Sequence, residues 1–292
     1  MSGTRRRYEQ LQPQLQPQLQ SPPQPQTQTA FATGGATQPR PPAGAAPRLF
    51  VLAIGISEYL NPEYRLGLAA KDARDFAQAM ARQTGRLYND VSVRALTDGE
   101  ATRAAVLENL QWLSANVGPR DVGVMFFAGH GLNANDQQYY FLPHDADHER
   151  LAQTAVSDEE LRKALARMRG KALLFVDTCF GGSALSRAGS SEIARMANNL
   201  SSAENGIVVF ASSSGRQLSE EHDDWGNGAF TKAVLAGLEG KADLTGSGRV
   251  TFKGLDFYVS EEVRKLTQGR QTPVTISPTG VPDFALARVG AI

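Results

Sequence analysis

At residues 172–182 the sequence reads ALLFVDTCFGG, an apolar run that stops at Asp177, Thr178 and Cys179 and then at two glycines. An unbroken apolar run of this length, ended by polar and turn residues, is typical of a strand buried on both faces of a sheet. The pattern therefore predicts a central strand whose end delivers a thiol to the rim of the sheet. Ligand-binding residues of open α/β sheets lie at such strand ends.

A second run ends in the same way. Residues 122–131 read VGVMFFAGHG, which predicts another buried strand with His130 at its end. Cys179 follows His130 by 49 residues and is the only cysteine of the 292-residue chain. A thiol with a pKa of about 8.5 is mostly protonated at neutral pH and needs a neighbouring base to become a nucleophile. The two strand ends predict a catalytic Cys179–His130 pair, with the backbone N–H groups of Gly131 and Cys179 as a candidate oxyanion hole.

Short apolar runs alternate with patterns of helical period along the chain. Strands are predicted at residues 49–56, 91–96, 122–130, 139–142, 172–179 and 206–211, and helices at 69–84, 102–117, 228–238 and 251–266. A further helix begins at Ser157, where Glu160 completes a capping box. This alternation predicts a mostly parallel sheet covered by helices on both faces, the α/β class.

Composition divides the chain near Arg48. Residues 1–48 hold nine of the 15 prolines, ten glutamines, five arginines and one acid, a formal charge of +4 against −4 for the remainder. We predict a disordered or polyproline-like tail at residues 1–47 and a folded domain at 48–292. The tail is either a solvated extension or an arm that docks a partner.

The composition also excludes several classes of protein. A single cysteine forms no intramolecular disulfide, and a free thiol fits a reducing compartment. No run of 18 apolar residues predicts a membrane span, and the arginines at 5–7 lack the apolar stretch of an export signal. Neither half of the chain looks like a nucleic-acid surface. We expect a cytoplasmic protein with no nucleic-acid or membrane partner.

The His-Gly at 130–131 and the Asp-x-Cys-x-x-Gly at 177–182 resemble the caspase-like cysteine peptidases, in the prokaryotic branch related to metacaspases. In caspases the histidine precedes the cysteine by about 50 residues. The resemblance extends from residue 48 to about 278 and includes FASSSGRQ at 210–217 and GAFT at 228–231. It implies an α/β/α sandwich with a large-subunit-like part at 48–183, a linker at 184–205 and a small-subunit-like part at 206–292. It also implies a cysteine endopeptidase.

The resemblance carries an expectation about specificity. In metacaspase-like enzymes an aspartate two residues before the cysteine, here Asp177, lines a pocket for arginine or lysine together with a second aspartate, here Asp72. A guanidinium group binds carboxylates bidentately, which suits such a pair. For Asp72 the alternative is a solvated acid in the first turn of a helix, where the dipole favours negative charge. The expected substrates are proteins or peptides cleaved after a basic residue.

One departure from the family pattern lies beside the cysteine. Metacaspases usually carry His-Ser after the cysteine, where this chain has Phe180-Gly181. The departure leaves the pair of Cys179 and His130 intact but bears on the fine shape of the site.

No cofactor is expected for the chemistry, and no metal site is predicted. The chain lacks the acid-rich insertion of strongly calcium-dependent relatives, and Asp136, Asp145 and Asp147 lack the spacing of a calcium loop. His144 and His148 flank the latter two acids and are suitable transition-metal ligands, but a polar loop is the favoured interpretation. Activation by calcium is left open.

Two further segments carry open alternatives. Arg187 and Arg195 are candidate self-cleavage sites in the linker, and an intact helix over residues 191–200 is the alternative. His222, within the acidic run EEHDD at 220–224, belongs either to an exposed loop or to the border of the substrate pocket.

Other functions remain as rivals to the peptidase. The chain is alternatively an inactive caspase-like scaffold that binds partners, or another cysteine hydrolase, such as an amidase, on a similar sheet. The presence of both His130 and Cys179 argues against the scaffold.

Overall fold

The computed structural model describes residues 46–134, 138–179, 192–201, 207–213 and 219–290. These residues belong to one compact unit, Ala43–Ile292. The predicted tail up to residue 45 and much of the predicted linker lie outside the described residues.

Strands and helices alternate along the described chain. The strands are β1 (Arg48–Gly55), β2 (Asp90–Thr97), β3 (Val122–Asn133), β4 (Tyr139–Phe141), β5 (Val156–Ser157), β6 (Lys171–Cys179), β7 (Ile207–Ala211), β8 (Arg249–Thr251), β9 (Val274–Ile276) and β10 (Ala285–Arg288). The α-helices are α1 (Ala69–Ala81), α2 (Arg103–Asn116), α3 (Leu151–Thr154), α4 (Asp158–Ala166), α5 (Glu192–Leu200), α6 (Ala229–Ala236) and α7 (Phe252–Leu266).

The main sheet has the strand order β2-β1-β3-β6-β7-β9. Its first five strands are parallel, and β9 pairs antiparallel with β7. The short strands β4 and β5 extend the end of β3 by antiparallel pairing, and β8 and β10 form a separate two-stranded sheet. The central position of β3 and β6 explains why their sequences are apolar without interruption, since both faces of a central parallel strand are buried.

Two hydrophobic cores lie on opposite faces of the main sheet. Met125 and Phe127 of β3 point to the core shared with α2, α4 and α5, whereas Val124 and Phe126 point to the core shared with α1, α6 and α7. Successive side chains of a strand alternate between faces, so one apolar run supplies both cores. The predicted α/β/α sandwich is confirmed.

The predicted helix starts are confirmed by their caps. Ser157 and Glu160 form both bonds of the capping box at the start of α4, and Thr102 caps α2 by accepting from the backbone of Ala105. These side chains satisfy N–H groups that a helix start leaves unpaired.

Strand β3 continues three residues beyond His130, where the sequence predicted its end. The parallel pairing with β6 does stop at His130, and Gly131–Asn133 then pair with β4 instead. The glycines end the apolar pattern but not the extended backbone. His130 therefore lies where the main sheet ends and the short extension begins.

Candidate active site

The ends of β3 and β6 bring the two predicted catalytic residues side by side. In the parallel register Ala128 pairs with Asp177, Gly129 with Thr178, and His130 with Cys179. Adjacent strands of a sheet lie about 4.8 Å apart. Cys179 is described by its backbone only, so the thiol lies outside the described atoms, as do the neighbouring residues 180–191.

His130 is buried and held by two tyrosines from the segment between β1 and α1. Its backbone N–H donates to the hydroxyl of Tyr59 at 2.8 Å, and its ring packs against the rings of Tyr59 and Tyr64. The ring nitrogen Nε2 lies 2.9 Å from the carbonyl oxygen of Tyr64. A carbonyl oxygen only accepts, so Nε2 carries a proton in this contact. Nδ1 is then the nitrogen that exchanges a proton during a reaction.

The backbone of Gly131 is directed towards β6. The carbonyl of His130 accepts from Leu142 on the β4 side, and its N–H is turned to Tyr59. Successive backbone groups of a strand point to opposite edges, so the N–H of Gly131 faces the edge where Cys179 lies. Position 131 has no room for a side chain, because a Cβ there would collide with the hydroxyl of Tyr139.

Beside these strand ends lies a narrow acid-lined pocket. Its carboxylates are Asp72 from the first turn of α1, Asp177 from β6 and Glu221 from the segment before α6. The remaining lining residues are small or apolar, apart from one hydroxyl: Leu66, Ala69, Ala128, Gly129, Ser219 and Gly228. The structure therefore brings together both predicted specificity aspartates, and the interpretation of Asp72 as a solvated acid is wrong, since its exposed fraction is 2%.

Asp177 is buried and accepts hydrogen bonds on both oxygens. The hydroxyl of Ser219 donates to Oδ1, and that of Thr231 donates to Oδ2 at 2.8 Å. Burial raises the pKa of Asp177, and the hydroxyl donors oppose that rise only in part. The carboxyl group is thus held in a defined orientation while its charged form is disfavoured.

Asp72 has a similar environment. Its Oδ1 accepts from Nδ2 of Asn227 at 2.8 Å, and its Oδ2 accepts from the backbone N–H of Gly228 at 3.2 Å. Burial, and after it the charge of Asp177, raises the pKa of Asp72 to about 8. Near neutral pH Asp72 therefore holds a proton.

Glu221 is the third acid, at the exposed rim of the pocket. Its Oε1 accepts from the backbone N–H of Leu68 at 3.3 Å. Desolvation raises its pKa, and the charge of Asp177 adds to that rise. Three carboxyl groups with raised pKa values line a single cleft. A cation that entered this cleft would stabilise their charged forms.

Gly228 forms the wall between the two aspartates. A Cβ at this position would lie 3.1 Å from Oδ2 of Asp72 and 3.4 Å from Oδ2 of Asp177. Any larger residue would occupy the space in front of both carboxylates. The glycine keeps that space open.

Several residues of this pocket were not predicted as site residues. Ser219, Asn227 and Thr231 orient the aspartates, yet each looks like an ordinary polar residue in the sequence. The acidic run at 220–224 was the only signal for Glu221. Both alternatives for that run hold in part, since Glu221 lines the pocket whereas His222 is exposed.

Ser212 and Ser213 follow the end of β7 and carry buried hydroxyls without a hydrogen-bond partner among the described residues. The register pairs Val176 with Ala211, which makes Asp177 and Ser212 neighbours across the two strands. Alternation along β7 places Ser212 on the face of Phe210, the same face as Asp177. The hydroxyl of Ser212 lowers the pKa of Asp177 by proximity.

The loop with the suggested metal ligands is tied into the fold by its own side chains. Nδ1 of His144 lies 2.6 Å from the carbonyl of Glu58, Asp145 accepts from the backbone N–H of Arg103, and Asp147 pairs with Arg150. Within the described ranges no group of three or more His, Cys, Asp or Glu residues is arranged to hold a metal ion. Asp136 lies outside the described residues.

The two candidate self-cleavage sites differ in what the structure describes. Arg195 lies within α5, half-buried, whereas Arg187 lies outside the described residues. The helix predicted as the alternative at 191–200 is present as α5. Among the helices of the described chain, none is long and apolar enough to cross a membrane.

The sequence matches the family model of the caspase domain over residues 48–284. The chain therefore belongs to the caspase-domain family, and the resemblance noted from the sequence is confirmed at that level. The crystal structure of protein GSU0716 from Geobacter sulfurreducens is similar in fold, with a TM-score of 0.58 and 20% identity over 81% of this chain and 96% of that one. No curated protein matches the sequence.

Proposed function

We propose that this protein is a cysteine endopeptidase that cleaves peptide bonds after arginine or lysine. The observation that carries the proposal is the pocket in which Asp72, Asp177 and Glu221 surround one cleft beside the strand ends of His130 and Cys179. A peptide that leaves its basic side chain in this cleft has its next peptide bond near those strand ends.

The carboxylates account for the preferred side chain. A guanidinium or ammonium group would compensate their negative charge and supply the donors that buried carboxylates need. An aspartate side chain would add a fourth acid to the cleft, which disfavours it through like-charge repulsion. Arginine offers a planar fork of donors that matches two carboxylates better than the point charge of lysine does. We expect cleavage after arginine to be the faster of the two.

The proposed chemistry uses the strand-end pair. His130 takes the thiol proton of Cys179 on Nδ1, and the sulfur attacks the carbonyl carbon of the scissile bond. The C–N bond then breaks as His130 returns the proton to the leaving amine, which leaves an acyl-enzyme. Water, deprotonated by His130, releases the acid product and restores the thiol.

Support for the base comes from the contact of Nε2 with the carbonyl of Tyr64, which fixes the ring and leaves the proton exchange to Nδ1. During the attack negative charge builds on the carbonyl oxygen. We propose the backbone N–H groups of Gly131 and Cys179 as donors for that charge. Each oxyanion donor typically contributes roughly 3 kcal/mol to the transition state.

A panel of peptides tests the proposal. Peptides with Arg, Lys or Asp before the scissile bond are incubated with the wild type, Cys179→Ala and His130→Ala, each with calcium and with a chelator. We expect cleavage after Arg and Lys only, abolished in both variants. Cleavage retained in Cys179→Ala, or cleavage after Asp alone, would contradict it. The calcium arms decide whether the ion activates the enzyme.

A second variant tests the pocket separately from the chemistry. Asp177→Asn keeps the shape of the side chain, and the hydroxyls of Ser219 and Thr231 are able to reorient towards the amide. Losing one charge-assisted bond, a contribution of about 1.5–3 kcal/mol, lowers kcat/KM for arginyl peptides about 10- to 100-fold. Labelling of Cys179 by an electrophile on an uncharged peptide should persist. Asp256→Asn, a half-buried acid on α7 outside the pocket, is the matched control.

A further inference from the structure

A second cavity, with a volume of about 140 Å³, lies at the other end of α1 from Asp72. Its walls are formed by the C-terminal end of α1, the turn that follows it, the segment after α6 and the end of β10. None of its described lining residues belongs to the acid pocket.

The charges of this cavity are mainly positive. Arg82, Arg86 and Arg288 line it, and Glu239 is the one acid among the described lining residues. Glu239 is engaged by Arg82, with Nη1 at 3.3 Å from its Oε1. The guanidinium groups of Arg86 and Arg288 form no ion pair within the described chain. Two net positive charges therefore remain in the cavity.

Gln83 adds an amide donor to the same cavity. Its exposed fraction is 5%, and its Oε1 accepts from the backbone N–H of Arg288 at 2.8 Å. Its Nε2 has no hydrogen-bond partner among the described residues. Because Gln83 lines the cavity and its oxygen is turned to β10, the two N–H donors of Nε2 remain for a ligand.

The neighbouring strands also favour an anion here. Arg288 of β10 lies directly opposite Arg249 of β8 in the antiparallel register. Like charges placed opposite each other on paired strands are destabilising. An anion bound beside Arg288 would offset this repulsion.

We propose that this cavity binds a small molecule that carries phosphate. Guanidinium groups bind phosphate oxygens in bidentate fashion, and two net positive charges match a phosphate monoester, which carries about −1.5 to −2 at neutral pH. Leu238 and Val289 give the non-phosphate part an apolar surface. The proposal is independent of the peptidase activity.

Calorimetric titration of the full-length protein with ADP, pyrophosphate and inorganic phosphate, at constant ionic strength in chloride, tests the site. We expect ADP to bind more tightly than inorganic phosphate. Gln83→Glu keeps the oxygen that accepts from Arg288 but replaces the N–H donors with negative charge, and it should weaken ADP binding at least tenfold. Arg288→Ala, which leaves the backbone bond to Gln83 in place, should weaken it to a similar degree.

The matched control is Arg167→Ala, which removes an exposed arginine at the end of α4 and should leave the affinity unchanged. Unchanged ADP affinity in Gln83→Glu and Arg288→Ala overturns the proposal, as does the absence of heat with all three probes. Equal affinity for ADP and inorganic phosphate overturns the contribution of Leu238 and Val289 to binding. Binding of an acidic peptide in place of the three probes overturns a small-molecule site.

Discussion

Asp72 and Asp177 are acids that the fold buries side by side in one pocket. Burial and mutual repulsion disfavour their charged forms, while Asn227, Ser219 and Thr231 hold them in place. Their ionisation lowers the stability of the free protein, because a carboxyl group with a raised pKa in the folded state stabilises the fold below its unfolded pKa and loses that contribution as pH rises through the folded value. A bound cation would stabilise the charged carboxylates and so offset this loss of stability.

The same residues predict a pH dependence of ligand binding. Below about pH 8 Asp72 holds a proton, and a guanidinium must displace it in order to bind. The inhibition constant of benzamidine should therefore fall as pH rises from 6 to 8, by up to tenfold per unit for one displaced proton, and level off above 8. Inhibition measured across this range checks the expectation. A flat profile between pH 6 and 9 would contradict the assignment of the proton to Asp72.

Ser212 supplies a prediction with a built-in control. Its hydroxyl is buried, lies on the face of Asp177 and has no hydrogen-bond partner among the described residues, so it is an extra donor when Asp177 ionises with a bound cation. Ser212→Ala should raise KM for arginyl peptides about fivefold, within the range of one hydrogen bond to a charged group. Ser213→Ala removes the next unpaired hydroxyl and should leave KM unchanged. Melting temperatures of both variants should equal or exceed that of the wild type.

At this scale the sequence predicts the candidate site residues and misses those that orient them. His130, Cys179 and Asp177 stand at the ends of apolar runs, where the change of pattern marks them. Asn227 and Thr231 acquire their roles only by meeting acids more than 50 positions away in the chain. No local sequence pattern indicates a contact between residues so far apart in the chain.

At the scale of elements, the pocket depends on how closely the start of α6 approaches α1 and β6. Gly228 precedes α6 with ordinary backbone angles, so alanine is compatible with its conformation. The added methyl group would enter the space before both aspartates. Gly228→Ala should lower kcat/KM for arginyl peptides at least tenfold, with a loss of about 1 kcal/mol or less in the free energy of unfolding.

The control for that substitution is Gly99→Ala, where an added Cβ meets no atom within 4 Å. Peptidase assays and denaturant titrations of the two variants give the comparison. Full activity of Gly228→Ala would mean that the basic side chain does not reach the aspartates.

Element types were largely predictable and element ends were not. The periods of apolar residues predict α1, α2, α6 and α7, and Ser157 with Glu160 marks the start of α4. The end of β3 was misplaced because pairing with β4, and not the sequence of β3, carries it past His130. Where a strand ends depends on the strands that pair with it, and the sequence of a single segment does not show those strands.

At the scale of the whole molecule, the pocket joins the two parts of the chain on either side of the linker. Asp72 and Asp177 come from the part before residue 183, whereas Ser219, Glu221 and Gly228 come from the part after residue 206. The pairing of β6 with β7 and the two cores connect these parts independently of the linker. A cut in the linker would therefore leave the sheet and the pocket assembled.

The structure leads to different expectations for the two candidate self-cleavage sites. A peptidase binds its substrate as an extended chain, and Arg195 lies in α5, whose Met196, Ala197 and Leu200 are buried in the core. We expect no cut after Arg195 in the folded protein. If self-cleavage occurs, Arg187→Ala should abolish it and Arg195→Ala should not. Mass spectrometry of the fragments decides this, and a product that ends at Arg195 would contradict the expectation.

The bond between the backbone N–H of His130 and the hydroxyl of Tyr59 determines how the amide of His130 exchanges its hydrogen for deuterium. Most N–H groups of β3 are locked by the neighbouring strands, so their deuterium uptake requires the sheet to open. The amide of His130 is protected instead by a side chain of the segment between β1 and α1. Its uptake rate therefore depends on how often that segment moves away from β3. Deuterium exchange at the amide of His130 thus measures local opening of the segment that holds the histidine.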